Sequence, residues 1–232
     1  MKRSEINTVI KNSKVFLEEH KFFLPPFAFW KPEVWANHGD KIREIIDCNL
    51  GWDITDFGSE NFYETGLFLF TLRNGSVQHQ EIQHRKLYAE KIMISEVGQI
   101  TPMHFHLNKM EDIINRGGGN LIIELYNSDH EEKLISSDVE VVQDGVKRSY
   151  SSGTRVLLKP GESITLTPYL YHSFWAEESK VLIGEVSLVN DDISDNRFLE
   201  AVGRFPTIIE DEKPLHLLIG DYQKYYGGWY AG

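Results

Sequence analysis

Two histidines separated by a single residue carry the strongest chemical signal in the chain. His104 and His106 are two residues apart, and Glu111 follows five residues after the second. Residues two apart on a β-strand point to the same face, so an extended backbone would place both imidazoles side by side. Two imidazoles and a nearby carboxylate are typical of a divalent metal site. A fourth ligand must come from elsewhere, and His172 is the leading candidate.

Short β-strands are the elements that must position these ligands. Segment 67–72 predicts a strand, and the Asn74-Gly75 dipeptide after it predicts a hairpin turn. Further strand-like segments separated by glycine- and proline-containing turns are 88–95, 99–106, 120–126, 139–142, 154–158, 163–167, 172–175 and 180–186. Short strands at regular spacing favour an all-β barrel or sandwich.

A helical and aromatic extension precedes the predicted barrel. Residues 4–21 predict an amphipathic helix, 33–48 predict a second helix, and 53–59 predict a turn-rich loop. The aromatic-rich stretch 22–35 predicts a hydrophobic belt that packs on the barrel or on a second subunit. Alternatively, some of its rings line a ligand pocket, because aromatic faces suit flat or C–H-rich surfaces of small molecules.

These elements predict three regions within one structural domain. They are an N-terminal extension packed on the barrel, the barrel with its metal site, and an acidic C-terminal segment that could cover the barrel mouth. Their bounds are 1–60, 61–190 and 191–232.

Composition restricts the possible partners. A formal net charge of −11 disfavours nucleic acid and anionic membranes. The single cysteine, Cys48, cannot form an internal disulfide. The N-terminus lacks the apolar core of a signal peptide, and no run approaches the roughly 20 apolar residues of a membrane span. We therefore expect a soluble, cytoplasmic protein.

The spacing around the histidine pair resembles the first motif of the cupin superfamily, G-x5-H-x-H-x3,4-E-x6-G. Every interval is matched by Gly98, His104, His106, Glu111 and Gly118. The resemblance implies a jelly-roll-like barrel in which both histidines and the glutamate bind metal.

The second cupin motif, G-x5-P-x-G-x2-H-x3-N, is matched more loosely. Gly161, Pro168 and His172 follow its order. One extra residue precedes the proline, Leu170 replaces the second glycine, and the histidine comes one position early. His172 nevertheless follows a turn at the start of a predicted strand, where the fourth ligand is needed.

A closer resemblance, to the D-lyxose isomerase family of cupin-type sugar isomerases, extends over nearly the whole chain. It implies interconversion of D-lyxose and D-xylulose, with D-mannose and D-fructose as a second pair. We expect proton transfer through an enediol, and a hydride shift stays open because both routes use a metal at O1 and O2. The resemblance also implies a homodimer and a divalent metal, usually Mn²⁺, although the ligands also suit Zn²⁺, Co²⁺, Ni²⁺ or Fe²⁺. The segments that carry it are 50–58, 101–106, 109–119, 169–175, 184–187, 195–198 and 203–206.

An aldose–ketose isomerase also needs a group that moves a proton between C1 and C2. Lys109 lies two residues before Glu111, so we expect it to reach the pocket, the alternative being a solvent-facing lysine. For the carboxylate, Glu185 lies in an apolar strand, whereas Glu200 and Glu210 lie in the acidic segment. We favour Glu210, because the neighbouring segment 203–206 could anchor a loop over the metal.

Other interpretations stay open at this point. Glu200 and Glu210 could instead form salt bridges with Arg197 or Arg204. The same ligand set occurs in cupin dioxygenases, and related barrels include non-catalytic sugar-binding proteins. The remaining histidines lack metal-ligand spacing and are expected to be surface or structural residues; they are His20, His38, His79, His84, His130 and His216.

Overall fold

An antiparallel β-sheet of twelve strands forms the body of the protein within residues 1–76, 85–205 and 207–225, the part that the computed structural model describes. The strands are β1 (Gly51–Thr55), β2 (Leu67–Arg73), β3 (Tyr88–Ser95), β4 (Thr101–His106), β5 (Glu111–Ser128), β6 (Leu134–Ile135), β7 (Val139–Gln143), β8 (Val146–Tyr150), β9 (Arg155–Leu158), β10 (Ser163–Leu166), β11 (Leu170–Leu188) and β12 (Asn196–Phe198). The main path runs β1-β2-β3-β11-β5-β10-β7-β8, and β4 pairs with both β11 and β12. The all-β prediction is confirmed.

Four short to medium α-helices flank this sheet in the described residues. They are α1 (Arg3–Glu19), α2 (Pro32–Trp35), α3 (Arg43–Asp47) and α4 (Tyr222–Tyr225). Three 3₁₀ turns accompany them, at Pro26–Phe29, Gly39–Ile42 and Ile219–Asp221. No helix in these ranges is long and apolar enough to cross a membrane.

The main core lies between the inward faces of the strands. Alternating residues of β5, such as Leu121, Ile123 and Leu125, are fully buried against Phe174 and Ala176 of β11. Each fully buried aliphatic or aromatic side chain contributes roughly 1.5–3 kcal/mol to folding. This layer fixes the strands from which the predicted metal ligands project.

The two longest strands differ from the sequence-based prediction. We expected residues 120–126 to form a strand after a glycine turn, and 172–175 and 180–186 to form two strands. Instead β5 and β11 run through these positions and pair from Leu170–Glu177 and again from Val181–Ser187, with an irregularity between. The glycines allow close contact, since a Cβ on Gly118 would lie 2.0 Å from the Lys180 carbonyl oxygen.

Three further predictions, for residues 33–48, 53–59 and the turn after β2, differ from the structure. The predicted helix at 33–48 is broken into α2, a 3₁₀ turn and α3, because Gly39 adopts a positive φ of 53° that interrupts helical geometry. Part of the predicted loop at 53–59 belongs to β1, whose Trp52 and Ile54 pack into a second core with α1. Strands β2 and β3 do pair, but residues 74–87 connect them instead of a two-residue turn, and 77–84 lie outside the described residues.

The aromatic stretch packs on the barrel, as the first interpretation expected. Trp52 Nε1 of β1 donates to the Ala28 carbonyl oxygen at 2.8 Å, and the rings of Phe27 and Phe70 are 5.5 Å apart. Trp35 joins a small cluster with Tyr222 near the C-terminus. No residue of the 22–35 stretch lines the cavity beside His104 and His106, which is described below.

Arg3 joins the N-terminal helix to the C-terminal segment. Its side chain is 0% exposed, and its guanidinium donates to both carboxylate oxygens of Asp221 at 2.7 and 2.9 Å. Its Nε donates to Glu210 Oε2 at 2.9 Å. Although burial opposes it, these carboxylates raise the pKa of Arg3, so the guanidinium stays charged.

We expect Arg3→Met to lower the free energy of unfolding by about 3–5 kcal/mol, because Asp221 would be left as a buried unpaired charge. Urea unfolding followed by circular dichroism measures the change. The control is Lys11→Met on the exposed side of the same helix, which should alter stability by less than about 0.5 kcal/mol. Equal losses in the two variants would contradict the prediction.

Candidate metal centre

Three histidines from two paired strands meet inside the barrel. His104 and His106 lie on β4, and His172 lies on β11 directly opposite His104. One nitrogen from each ring lies within 4.8 Å of the others, and all three residues are buried. The predicted histidine ligands are therefore brought together.

Glu111 completes the predicted ligand set at the first position of β5. Its Oε1 atom lies 3.4 Å from His106 Nε2 and 3.2 Å from His172 Nε2. Because β5 also pairs with β11, the same strand arrangement that aligns the histidines brings the carboxylate to them.

The ring nitrogens of two histidines are fixed by main-chain carbonyls. Nδ1 of His104 lies 2.8 Å from the Pro102 carbonyl oxygen, and Nδ1 of His172 lies 3.0 Å from that of Leu170. A carbonyl oxygen only accepts, so each Nδ1 carries the proton and leaves Nε2 with a free lone pair. Nε2 is then the atom that each neutral ring can offer to a metal ion.

The cluster has the properties of a metal site. The Nε2 atoms of His106 and His172 are buried and make no hydrogen bond of good geometry among the described residues. Burial and the neighbouring imidazoles hold the pKa of His104 well below its usual value, and burial with Lys109 lowers that of His106. Burial opposes ionisation of Glu111, yet Lys109 holds its pKa well below the usual range. Neutral imidazoles with an ionised carboxylate fit a divalent cation.

Lys109 reaches the cluster, as predicted. Its Nζ lies 2.7 Å from Glu111 Oε2 and 2.9 Å from Glu185 Oε1, and the residue is 3% exposed. The solvent-facing alternative is therefore wrong. Although burial opposes it, the two carboxylates raise the pKa of Lys109, which stays a cation.

Glu185 is the second carboxylate at this position. It lies on β11 opposite Lys91 of β3, whose Nζ is 3.3 Å from Glu185 Oε1. Charges therefore alternate from Glu111 through Lys109 and Glu185 to Lys91. This alternation offsets the cost of burying a carboxylate in an apolar strand.

The structure does not bring the other two carboxylates to the cluster. Glu210, which we favoured as the base, pairs with Arg3 and lies 3.4 Å from Lys224 Nζ, with its side chain 34% exposed. Glu200 is exposed, and neither residue lines the cavity. Residue 210 lies on the α1 side of the molecule, where the isolated bridge between Lys2 and Ile209 holds it.

A small cavity adjoins the cluster. Its lining includes groups that sequence reasoning missed: Lys91 from β3, and Asp192 and Arg204 from the C-terminal segment. Arg204 Nη2 lies 2.6 Å from Asp53 Oδ2 and 3.4 Å from Asp192 Oδ2. Arg204 therefore pairs with aspartates, and the predicted salt bridges of Glu200 or Glu210 with Arg197 or Arg204 are not found in the described residues. The sequence offered one signal for the role of Lys91, which is the presence of a charged lysine among the apolar residues of β3.

Three other histidines in the described residues pack against main-chain or aromatic groups, whereas His130 is exposed. Nδ1 of His216 lies 2.9 Å from the Trp30 carbonyl oxygen, and Nδ1 of His20 lies 2.9 Å from that of Phe16. His38 stacks on Trp30 with ring centroids 3.9 Å apart. His79 and His84 lie outside the described residues.

Sequence comparison finds relatives that match this chain over nearly its full length. The profile of the family described as D-lyxose isomerase matches residues 1–222. The D-lyxose/D-mannose isomerase of Escherichia coli O157:H7 is 49% identical over 228 residues, which cover 97% of this chain and 100% of that protein. The D-lyxose/D-mannose isomerase of Serratia proteamaculans is also 49% identical over 228 residues, covering 97% and 99%.

Solved structures with the same fold are more distant in sequence. L-ribose isomerase from Cellulomonas parahominis with L-ribose has a TM-score of 0.58 at 15% identity and covers 90% of this chain and 98% of its own. L-ribose isomerase from Geodermatophilus obscurus has a TM-score of 0.58 at 14% identity with the same coverage. These similarities confirm the cupin-type barrel. The family match over residues 1–222 and the near-half identity over almost the full length establish that the chain belongs to the D-lyxose isomerase family.

Proposed function

We propose that this sugar isomerase interconverts D-lyxose and D-xylulose, and also D-mannose and D-fructose, using a divalent metal ion, Mn²⁺ in the first instance. The relatives at 49% identity are named for D-lyxose and D-mannose, which supports this choice of aldoses. The family resemblance also implies a homodimer, and the sequence predicts a cytoplasmic location; we include both in the proposal.

The observation that supports the proposal is the cavity beside the histidine cluster, whose lining includes His104, His106, Glu111, Lys109 and Glu185. His104, His106, Glu111 and His172 would hold the metal ion. Lys109 lies between Glu111 and Glu185, in contact with both. When bound, a divalent ion polarises the sugar carbonyl and stabilises negative charge on the oxygens of C1 and C2.

Glu185 is the base in this proposal. Its carboxylate takes the proton from C2 of the open-chain aldose and returns it to C1 of the resulting enediol, while the O2 proton moves to O1. The net result is the ketose, with no oxidant or reductant consumed. A buried carboxylate in contact with two lysine ammonium groups is held in place for this transfer.

Lys109 is assigned a role as a cation. Because both neighbouring carboxylates favour its charged form, it can donate hydrogen bonds to the oxygen on which charge develops. It also fixes the separation between the proposed ligand Glu111 and the proposed base Glu185.

The C-terminal segment supplies groups suited to the remaining sugar hydroxyls. Arg204 lines the cavity, and its Nη1 is buried without a hydrogen-bond partner in the ranges that the structure describes. Asp192 lines the same cavity and can accept from a hydroxyl. A guanidinium donor beside a carboxylate acceptor matches a polyol chain, in which every oxygen both donates and accepts.

Metal-stripped protein tests the proposal directly. With Mn²⁺ restored, we expect D-lyxose and D-mannose to give ketose at least about 100-fold faster than without metal, because the ion contributes several kcal/mol of transition-state stabilisation. A colorimetric ketose assay measures the product. The control sugars are D-xylose and D-glucose, their epimers at C2, which should react far more slowly. Oxygen consumption without ketose formation, or no reaction with any aldose, would overturn the proposal.

A further inference from the structure

We propose that Asp195 is a positioning residue, which orients the imidazole of His106 for metal binding and holds the main chain of Lys109 beside it. This inference rests on the metal centre proposed above. Asp195 lies in the C-terminal segment, just before β12, far along the chain from both residues.

The three histidines of the cluster are not held in the same way. His104 and His172 each place Nδ1 against the carbonyl oxygen two residues earlier, at 2.8 and 3.0 Å. His106 has no such contact, and its buried Nδ1 lacks a hydrogen-bond partner in the described part of the chain. An acidic group lies near this nitrogen, because Oδ2 of Asp195 is 3.9 Å from it.

Asp195 is itself rigidly held. It is 6% exposed, its main-chain N–H donates to the Asp191 carbonyl oxygen at 3.1 Å, and its own carbonyl accepts from the Leu107 N–H at 3.0 Å. The adjacent Asn196 pairs with His106 in the β12–β4 register. The carboxylate therefore sits at a fixed position beside β4.

The two carboxylate oxygens of Asp195 have different partners. Oδ1 accepts from the main-chain and side-chain nitrogens of Asn108 at 2.8 and 3.0 Å. Oδ2 accepts from the Lys109 main-chain N–H at 3.1 Å, which leaves a second lone pair of Oδ2 free. Oδ2 lies 3.9 Å from His106 Nδ1, and in this proposal a rotation of the ring brings the two atoms into a hydrogen bond.

A hydrogen bond from His106 Nδ1 to Asp195 would strengthen metal binding. The Nε2 of His106 faces Glu111, so metal binding there leaves the proton on Nδ1. A carboxylate that accepts this proton fixes the tautomer and the ring orientation and makes the nitrogen a better ligand. The same carboxylate sets the main chain from which Lys109 projects, so one residue of the C-terminal segment aligns a ligand and a cation.

Asp195→Asn tests the inference through metal affinity. The amide keeps one acceptor oxygen for Asn108 and turns an NH₂ group toward the N–H groups of His106 and Lys109. We expect the Kd for Mn²⁺, measured by calorimetric titration of metal-stripped protein, to rise about 10–100-fold. The matched control is Asp191→Asn, which keeps an acceptor oxygen for the Ile193 and Ser194 N–H groups and replaces the oxygen that accepts from the Ser194 hydroxyl. It lies in the same segment, does not touch the cluster, and should leave the Kd unchanged.

Thermal unfolding of the metal-free variants separates positioning from stability. A purely structural role would lower the Tm of metal-free Asp195→Asn and leave its Kd within twofold of wild type, and that result would overturn the inference. Equal weakening by both variants would also overturn it. Wild-type protein that binds no Mn²⁺ would instead overturn the metal centre itself.

A measurement on wild-type protein covers the case in which Asp195→Asn does not fold. In Zn²⁺-loaded protein, histidine nitrogen–proton NMR should show a His106 Nδ1 proton that exchanges slowly with water. A rapidly exchanging proton on His106, beside protected protons on His104 and His172, would contradict the role of Asp195.

Discussion

His104→Ala is expected to lose both Mn²⁺ binding and isomerisation of D-lyxose. His104 lies opposite His172 across the β4–β11 pair, so its removal leaves two imidazoles and one carboxylate for the ion. Loss of a group that only orients a ligand costs about 10–100-fold, so loss of a ligand should lower kcat/KM by more than about 100-fold. Ketose formation at saturating Mn²⁺, together with metal content after dialysis, measures the effect.

His130→Ala is the matched control for that experiment. His130 is exposed in the turn after β5, away from the cluster, and should retain both metal and turnover. A His104→Ala protein that kept wild-type metal content and wild-type kcat/KM would remove the metal centre from the mechanism.

Glu185→Gln is expected to lower kcat by about 10²–10⁴-fold, the usual contribution of a positioned general base. The amide keeps the shape of the side chain but cannot take the proton from C2. Because Glu185 contacts Lys109 and Lys91 and is not among the proposed ligands, the Kd for Mn²⁺ should change far less than kcat. Exchange of the C2 proton of D-lyxose with deuterated solvent, followed by NMR, should slow in parallel.

Glu210→Gln supplies the comparison that decides between the two carboxylates. Glu210 binds Arg3 at a partly exposed position, so the substitution should change stability modestly and leave turnover within about a factor of two of wild type. If Glu210→Gln lost turnover and Glu185→Gln kept it, the base would belong to the C-terminal segment, as the sequence first suggested.

The proposed metal ligands could be predicted from the sequence because their arrangement depends mostly on local geometry. His104 and His106 share a face through strand alternation, and Glu111 follows within a short turn. His172 required only that a later strand pair with β4, and it lies directly opposite His104. The all-β class likewise follows from short strands and frequent turns.

The other charged side chains of the site come together through the register of distant strands and segments. A local sequence pattern does not report that register. Lys91 meets Glu185 only because β3 pairs with β11 in one particular alignment. Asp195 reaches Lys109 from a segment without regular periodicity. Glu210 was favoured from the composition of an acidic stretch, yet a buried arginine at the start of α1 binds it.

The irregularity in the β5–β11 pairing has a consequence for how the site is assembled. His172 and Glu185 are thirteen residues apart on one strand, and strict alternation would turn them to opposite faces. Inward positions are even-numbered before the irregularity, at Phe174 and Ala176, and odd-numbered after it, at Val181 and Ile183. The residues between Glu177 and Val181 thus shift the alternation of inward and outward positions along β11 by one residue. Their number therefore decides whether the proposed base faces the proposed metal or the opposite side of the sheet.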